Sequence, residues 1–339
     1  MAEPGFAVLV GSESLLGREI RDLMASSAPG ASLRLIAADG EEAGRLTRVG
    51  DEPVSVQELT ADNLADARAI FLAGSAASSE KALLLADEDS TPVIDLTFAA
   101  DERADARLRA PMVEAQAEAG DDDSEPARIQ VIAHPAAVAL ALVLRRLHVN
   151  DPVRRAVVQV FAPASEQGVA GVEELQQQTI SLLSFKPLPR AVFDSQLSFN
   201  LLARYGEEAP SSLEDSELRI ERHLATLLSL PGEGEGAPMP SIRLVQAPVF
   251  HGYTFSMWVE FENAPDVEAV EGSLAAANIE ARSGEFEPPN NVGQAGQSGI
   301  AVGAIMSDRN HPEAMWFWVA ADNYRLAAEN AIAVAREYL

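Results

Sequence analysis

Short apolar runs of strand length alternate with helical patterns through the first part of this chain. Phe6–Val10 is a β-type run that ends at Gly11, and apolar residues from Leu15 to Met24 follow at the spacing of one helix face. Further strand-like runs are Leu33–Ala37, Ala69–Ala73, Val93–Leu96 and Ile129–Ala133. A helical stretch, Ser79–Ala86, lies between two of them. Strands and helices that alternate with short connections form a parallel sheet covered on both faces, so this pattern predicts a Rossmann-type α/β domain.

The pattern changes from Val157 onwards, where strands become longer and alternate in polarity. The predicted strands are Val157–Phe161, Ile242–Ala247, Phe255–Phe261 and Met315–Val319. The predicted helices are Glu173–Leu183 and Val267–Ala277. This mixture predicts an α+β substrate and dimerisation domain with a mainly antiparallel sheet, one face of which covers a partner subunit. The final helix, Asn323–Leu339, is expected to pack back on the first domain.

A chain of 339 residues is too long for one ordinary core and suits two domains. We predict a dinucleotide-binding domain from residues 1–137 with 320–339, and a substrate and dimerisation domain from 138–319. Gln116–Ala127 and Pro231–Pro240 are predicted to be exposed loops because they are rich in acidic residues or in Gly and Pro.

The composition excludes several classes of function. Lys and Arg total 25 against 52 Asp and Glu, a net charge of −27 that would repel a phosphate backbone, so we expect no nucleic-acid partner. No apolar stretch approaches the length of a membrane span, and the acidic start lacks the basic region of a signal peptide, so a cytoplasmic protein is expected. The chain has no cysteine, and its five histidines lack metal-site spacing, so neither a thiolate nor a metal centre is expected.

Several short motifs follow one another in a family-specific order. They are Gly11 and Gly17, Ala73-Gly74, Asp95, the stretch from Gly168 to Leu175, Phe199-Asn200, Pro248-Val249, Gly252 and the stretch from Trp318 to Arg325. In this order the chain resembles the aspartate-semialdehyde dehydrogenase family, whose members pair a Rossmann domain with a dimer-forming substrate domain. The resemblance implies the same fold and a homodimer, although a fold alone does not fix a function.

The resemblance also locates the family's catalytic positions. Family enzymes form a covalent intermediate on a cysteine at the head of a helix, and the matching stretch here, 134–139, has Ala137 in that place. The substrate-orienting glutamine corresponds to Ala162, the carboxylate-binding arginine to Gln246 and the acid/base histidine to Tyr253. These replacements imply that the chain does not catalyse the family reaction.

Two further family charges are reversed in the same alignment. A phosphate-anchoring arginine corresponds to Asp101, and a lysine on a later helix corresponds to Glu217. A negative charge at either position would repel an acyl phosphate or a substrate carboxylate.

The dinucleotide loop keeps part of its glycine pattern. The family's middle glycine is Ser14 here, and Glu13 adds a negative charge beside the expected phosphates. Asp39, after the second strand, would bind ribose hydroxyls and disfavour a 2′-phosphate, so the cofactor expected for such a loop is NAD, bound weakly. The alternative interpretation is that Asp39 caps a turn. The predicted cofactor-binding residues are Gly11, Ser12, Ser14, Gly17, Asp39, Gly74 and Asn323.

Three hypotheses follow. The first is an inactive, dimeric homologue; the second is an oxidoreductase with altered chemistry that uses Tyr253 or His251 as proton donor; the third is a heterodimer partner or regulator of a genuine dehydrogenase. His251 reads more naturally as a partly buried structural residue, and His134 as a loop residue. Ser165, which matches a family serine, has no recognisable His-carboxylate pair to activate it. Trp258, Trp316, Phe317 and Trp318 are expected to fill sheet faces or a dimer core.

Overall fold

The computed structural model describes residues 6–27, 32–50, 52–86, 91–114 and 127–339. Within these residues the chain divides into two compact units. The first comprises residues 6–111, 127–133 and Ala327–Leu339, and the second comprises 112–114 and His134–Leu326. The predicted loop Gln116–Ala127 lies outside the described residues apart from Ala127, and the predicted domain limits remain a prediction.

The first unit is built on a parallel sheet of six strands in the order β2-β1-β5-β6-β8-β7. Its elements are β1 (Phe6–Val10), α1 (Leu15–Ser27), β2 (Ser32–Ile36), β3 (Leu46–Val49), β4 (Glu52–Ser55), α2 (Ala61–Leu64), β5 (Ala69–Leu72), α3 (Ala76–Leu85), β6 (Val93–Asp95), β7 (Ala106–Arg109), α4 (Pro111–Glu114, which ends in the second unit) and β8 (Ile129–Ile132). Strands β5, β6 and β8 are buried at every residue, as expected for a parallel sheet that is covered on both faces.

The second unit is built on a mixed sheet of six strands in the order β10-β9-β11-β14-β13-β12. Its elements are α5 (Pro135–Asn150), β9 (Val153–Ala162), a 3₁₀ turn (Ala164–Gln167), α6 (Gly168–Leu183), α7 (Leu213–Leu228), β10 (Ser241–Gln246), β11 (Tyr253–Phe261), α8 (Val267–Leu274), β12 (Ile279–Ala281), α9 (Asn291–Gln294), β13 (Ile300–Ser307), β14 (Ala314–Ala321) and α10 (Asn323–Ala335). The central pairs β9/β11, β11/β14 and β14/β13 are antiparallel, while the edge strands β10 and β12 run parallel to their neighbours. The predicted fold class is therefore confirmed.

The end of α10 belongs to the core of the first unit. Ala328, Ala331 and Ile332 are buried in one cluster with Ile20 of α1 and Leu35 of β2. The expectation that the terminal helix packs on the first domain is confirmed. The helix ends at Ala335 rather than Leu339, because the N–H groups of Glu337 and Tyr338 donate to carbonyls three residues back.

Three other helix limits differ from the predicted ones. Helix α6 starts at Gly168 rather than Glu173. Helix α3 starts at Ala76 rather than Ser79, because Ser75 and Ser78 form a reciprocal capping box. Helix α8 ends at Leu274, since Ala275 is already extended.

The predicted loop Pro231–Pro240 contains no helix or strand, but it is not fully exposed. Gly234 and Ala237 are buried, and a Cβ added to Gly234 would lie 2.4 Å from the carbonyl oxygen of Arg145. The guanidinium of Arg145, fully buried in α5, donates to the carbonyls of Leu230 and Pro231. This buried cation ties the loop to α5, the helix that carries the candidate site.

Candidate functional site

The head of α5 holds the position that corresponds to the family's nucleophile. Pro135 occupies the first helical position, where its fixed φ suits a helix start, and the side chain of His134 accepts a hydrogen bond from the N–H of Ala136. Ala137 lies in this first turn and is fully buried. The helix start is therefore well formed, and Ala137, which the resemblance places at the nucleophile's position, has an enclosed methyl group.

Three polar side chains form a hydrogen-bonded row in the same unit. His134 Nε2 lies 3.0 Å from Glu166 Oε1, and the hydroxyl of Tyr253 donates to Glu166 Oε2 at 2.6 Å. The head of α5, the 3₁₀ turn and the first residue of β11 each supply one member. His134 and Tyr253 are each 1% exposed; His134 lies in the short connection between β8 and α5, as predicted, and there it is the buried cap of α5.

Glu166 sets the charge of this row. Burial alone would raise the pKa of Glu166, but its interactions with His134 and the hydrogen bond from Tyr253 outweigh burial, so its pKa lies below the usual range. Burial and the Glu166 carboxylate together raise the pKa of Tyr253 well above its usual value. At neutral pH the row therefore holds a carboxylate and a neutral phenol, and the phenol is a poor base and a poor acid.

Gln246, which corresponds to the family's arginine, is fully buried at the end of β10. Its amide oxygen accepts a hydrogen bond from the Tyr205 hydroxyl at 2.7 Å. Its amide nitrogen donates to the carbonyls of Ala162 at 2.9 Å and Ala247 at 3.2 Å. The amide is thus satisfied within the protein, and Ala162 contributes only its backbone and a methyl group.

Glu217 and Asp101 are also held by their own units. Glu217, on α7, accepts a hydrogen bond from the N–H of Leu244 at 2.5 Å and lies 3.9 Å from the Arg243 guanidinium. Asp101, in the first unit, lies in a turn in which its N–H donates to the carbonyl of Phe98. Both side chains are negatively charged, so neither provides the positive charge that a phosphate or a substrate carboxylate would need.

A serine, a histidine and an aspartate form a second row that the sequence did not reveal. Ser165 Oγ lies 3.1 Å from His251 Nδ1, and His251 Nε2 lies 2.9 Å from Asp322 Oδ1. The statement that Ser165 lacks a His-carboxylate pair is therefore wrong. Sequence reasoning missed the pair because its members are more than 70 residues apart and share no periodic pattern.

The second row links three segments of the second unit, and it does not expose the Ser165 hydroxyl as a nucleophile. Ser165 is 1% exposed, and its hydroxyl also contacts the side-chain amide of Asn323 at 3.2 Å. His251 lies outside strand β11, because Gly252 has a φ of 83° and turns the chain before Tyr253. Its side chain is 30% exposed and partly buried, in keeping with the structural interpretation.

In the first unit, the turn after β1 keeps a glycine framework. Gly11 has a φ of 86°, and a Cβ added to it would lie 2.3 Å from the Cα of Gly74. A Cβ added to Gly17 would lie 2.0 Å from the carbonyl oxygen of Gly11. Both positions therefore need glycine for close backbone approach, as the pattern predicted.

The serines and Glu13 of this turn are held inside the unit. The hydroxyl of Ser14 donates to the carbonyl of Ala73 at 2.7 Å and accepts from the N–H of Gly17 at 2.8 Å. Ser12 is fully buried. Glu13 turns its carboxylate to Arg21 at 2.7 Å; burial would raise the pKa of Glu13, but the Arg21 hydrogen bond and charge lower it.

Glu41 was not among the predicted site residues, yet its carboxylate joins the turn after β1 to the turn after β2. One oxygen accepts from the N–H of Glu13 at 3.1 Å and the other from the N–H of Ala38 at 3.0 Å. Asp39 is exposed and accepts a long hydrogen bond from Ser75 at 3.4 Å. The only sequence signal for Glu41 was an acidic residue two positions after Asp39.

The fit of these residues to a dinucleotide is therefore divided. Gly11 and Gly74 are present and pack against each other, but the N–H groups of Glu13, Ala38 and Gly17 are already bonded to side chains. As the side chains stand, these residues do not fit a dinucleotide. Asn323, predicted as a cofactor residue, lies in the second unit, where its side chain accepts from the N–H of Gly252 at 3.1 Å.

Neither a membrane span nor a metal centre is formed by the residues that the structure describes. No helix among them is long and apolar enough to cross a bilayer. Nor do they contain a group of three or more His, Asp or Glu side chains placed to hold a metal ion.

The parallel sheet with its glycine turn, followed by a mixed sheet, defines a two-part α/β protein of the Rossmann dehydrogenase type. A model of the semialdehyde dehydrogenase dimerisation domain matches residues 144–326. The chain belongs to the semialdehyde dehydrogenase family, and the predicted resemblance is confirmed.

Individual relatives cover almost the whole chain. A USG-1 protein homolog from Pseudomonas aeruginosa is 29% identical over 98% of this chain and 97% of its own length. The structure of aspartate-semialdehyde dehydrogenase II from Vibrio cholerae has a TM-score of 0.84 at 24% identity, covering 98% of this chain and 99% of that one. A Candida albicans aspartate-semialdehyde dehydrogenase, solved with NADP, has a TM-score of 0.67 at 18% identity and covers 99% of this chain and 98% of that one. The two structural likenesses show the fold.

Proposed function

We propose that this chain is a homodimeric semialdehyde dehydrogenase homologue that does not catalyse the oxidation of an aldehyde to an acyl phosphate. One observation carries the proposal: the chain has no cysteine, and the buried Ala137 stands in the nucleophile's place at the head of α5. A methyl group cannot form the thiohemiacetal from which hydride leaves. The cytoplasm remains its predicted compartment.

The residues at two other family positions support the same conclusion. Gln246 is neutral and satisfied by Tyr205 and by backbone carbonyls, and Tyr253 is a buried, neutral phenol that donates to Glu166. General acid or base help contributes only about 10²–10⁴ in rate, so a residual acid or base would not replace covalent catalysis.

The experiment measures NADH and NADPH formation by the purified protein with aspartate semialdehyde and phosphate, beside an active family enzyme. We expect no substrate-dependent reduction. We expect none with Ala137→Cys either, because the substrate-binding and acid/base groups are still missing. Substrate-dependent reduction by the unmodified chain would overturn the proposal.

A row of apolar side chains crosses four strands of the second unit and suits a subunit interface. Trp258 lies opposite Val157 on β9 and opposite Trp316 on β14, and Trp316 lies opposite Met306 on β13. Val157, Trp316 and Met306 are 39%, 37% and 52% exposed. We assign this row to the interface with a second copy, since the matched family domain is a dimerisation domain.

Light scattering after size exclusion tests this assignment at micromolar concentration. Trp316→Glu places a charge in the middle of the row and is expected to give a monomer. Leu84→Glu is the matched control, because Leu84 is an apolar side chain that is 86% exposed on α3 of the first unit. A dimer that survives Trp316→Glu would place the interface elsewhere.

We further propose that any dinucleotide bound by the first unit is NAD, with low affinity. Asp39 and Glu41 both follow β2, and their negative charges disfavour a 2′-phosphate. Calorimetric titration with NAD and with NADP tests the preference. Tighter binding of NADP would contradict it.

The structure gives less support to an oxidoreductase that uses Tyr253 as proton donor. Its phenol is 1% exposed, its pKa is raised, and it already donates to Glu166. His251 is partly exposed but is bonded to Asp322 and Ser165. The heterodimer hypothesis rests on the interface row alone, and co-purification of a genuine dehydrogenase from the native cell tests it.

A further inference from the structure

The carboxylate of Glu41 occupies backbone N–H groups at which a Rossmann domain meets its nucleotide. In dinucleotide-binding folds the turn after the first strand receives the pyrophosphate, and the turn after the second strand meets the ribose. Glu41 bonds one N–H from each of these turns, that of Glu13 at 3.1 Å and that of Ala38 at 3.0 Å. An anion of the chain itself therefore bridges the two turns.

The rest of Glu41's own loop favours this arrangement. The N–H of Glu41 donates to the carbonyl of Ala38 at 3.0 Å, so the loop folds back on the turn that the side chain binds. Gly40, between them, has a φ of 84° and provides the tight reversal. The backbone thus holds the carboxylate against its two donors.

The other acidic side chains of these turns are placed differently. Glu13 points its carboxylate at Arg21, at 2.7 Å. Asp39 and Glu42 are exposed, and Asp39 accepts only the long bond from Ser75 among the hydrogen bonds of the described residues. Glu41 is the acidic side chain that bonds both turns at once.

The glycine framework beneath the carboxylate is intact. Gly11 and Gly74 approach so closely that a Cβ on Gly11 would lie 2.3 Å from the Cα of Gly74. Ser14, which replaces the middle glycine, turns its hydroxyl inward to Ala73 and Gly17. The turn after β1 therefore packs closely against Gly74, and its N–H groups at Glu13 and Gly17 are bonded to side chains of the same unit.

We infer that Glu41 acts as an intramolecular competitor of the dinucleotide and is the main cause of the low NAD affinity. The inference rests on the proposed NAD site. Glu41 thereby regulates that site. A nucleotide with an unphosphorylated ribose binds only when the Glu41 carboxylate leaves the N–H groups of Glu13 and Ala38.

The test compares NAD affinity in the full chain with Glu41→Ala, Glu41→Gln and the control Glu42→Ala, by calorimetric titration. Glu42→Ala removes the same charge from the next residue, whose side chain is exposed. We expect Glu41→Ala to bind NAD at least tenfold more tightly than the parent. Glu41→Gln should fall between them, because its amide oxygen still accepts one hydrogen bond, and Glu42→Ala should stay within twofold of the parent.

Amide hydrogen exchange provides a readout that does not depend on any ligand. In Glu41→Ala the N–H groups of Glu13 and Ala38 should exchange faster than in the parent and in Glu42→Ala, with an unchanged circular dichroism spectrum. Unchanged exchange at both positions would overturn the assigned contact.

The outcomes separate this inference from the proposed function. Equal or weaker NAD binding by Glu41→Ala, or no binding by any variant at millimolar NAD, would overturn the competitor role while leaving the inactivity untouched. Substrate-dependent NADH formation by the parent would overturn the inactivity, and the ratio of NAD affinities would still decide the role of Glu41.

Discussion

The turn after β1 and the head of α5 have both lost family residues, but they are altered in different ways. In the first unit the glycine framework remains, and one carboxylate from a neighbouring loop takes two of its N–H groups. In the second unit the head of α5 carries the buried methyl group of Ala137, and the Glu166 carboxylate bonds both His134 and Tyr253. If Glu41 excludes the nucleotide as proposed, one substitution weakens that exclusion, whereas the proposed loss of the covalent group is not reversed by one substitution.

The largest expected effect concerns the glycine framework of the first unit. Gly11→Ala should lower the free energy of unfolding by about 3–5 kcal/mol, because the methyl group would overlap the backbone of Gly74 and φ is positive. Gly40→Ala is the control: φ is 84°, but nothing lies within 4 Å of the added Cβ, so about 1 kcal/mol is expected. Urea unfolding measures both. Equal losses would show that close approach is not what preserves Gly11.

The next effect concerns the buried row of the second unit. Glu166→Ala should destabilise the protein by about 3 kcal/mol, since it leaves His134 and Tyr253 buried without their shared partner. Glu173→Ala, on the exposed side of α6, should change stability by less than about 0.5 kcal/mol. Similar values for the two variants would mean that the row does not stabilise this unit.

A smaller effect is expected from removing one hydroxyl of the same row. Tyr253→Phe keeps the buried ring but deletes the hydrogen bond to the Glu166 carboxylate, so a loss of about 2 kcal/mol is expected. Thermal unfolding measures it. A stability equal to that of the parent would indicate that the Glu166 carboxylate accepts a hydrogen bond from another donor. The row of His134, Glu166 and Tyr253 would then be less rigid than its hydrogen bonds imply.

The smallest effect is a pH dependence. The pKa of Glu166 is lowered in the folded state, so its contribution is complete above the unfolded value of 4.5 and is lost as the pH falls through the folded value. As the pH falls from about 5 to about 3, the parent should therefore lose more stability than Glu166→Gln. The two losses should differ by less than about 1 kcal/mol. Urea midpoints across this range measure the difference, with Glu173→Gln expected to follow the parent. Parallel curves for parent and Glu166→Gln would contradict the lowered pKa.

Much of the fold could be predicted from the chain because its elements are periodic. The strand Phe6–Val10 is an element of the structure as predicted, and α6 and α8 were predicted with their ends misplaced. The ends depend on local bonds that periodicity does not encode, as at Ser75, whose capping box extends α3 by three residues beyond the predicted start at Ser79. Motif order was enough to predict the family, because spacing over a whole chain is more specific than any single motif.

Some residues of the candidate site could likewise be identified from the sequence, and others could not. Positions such as Ala137 and Gln246 could be found by alignment, since they stand inside family motifs. The partners that hold the site could not: Glu166 joins residues 32 and 87 positions away, and His251 joins Ser165 to Asp322. Isolated polar residues of this kind carry no spacing signal, because their pairing is made by the packing of distant segments.

The sequence by itself determined what chemistry is absent, because an amino-acid composition without cysteine excludes a thiolate in any fold. It also indicated, through the periodicity of apolar residues, the alternating strands and helices of the first domain, although β3, β4 and β7 were not predicted. Only the tertiary structure decided how the remaining polar groups are used: that Glu41 bonds the dinucleotide turns and that Glu166 lies between His134 and Tyr253. Hydrogen bonds between distant segments depend on distances of a few ångströms, which the folded backbone alone sets.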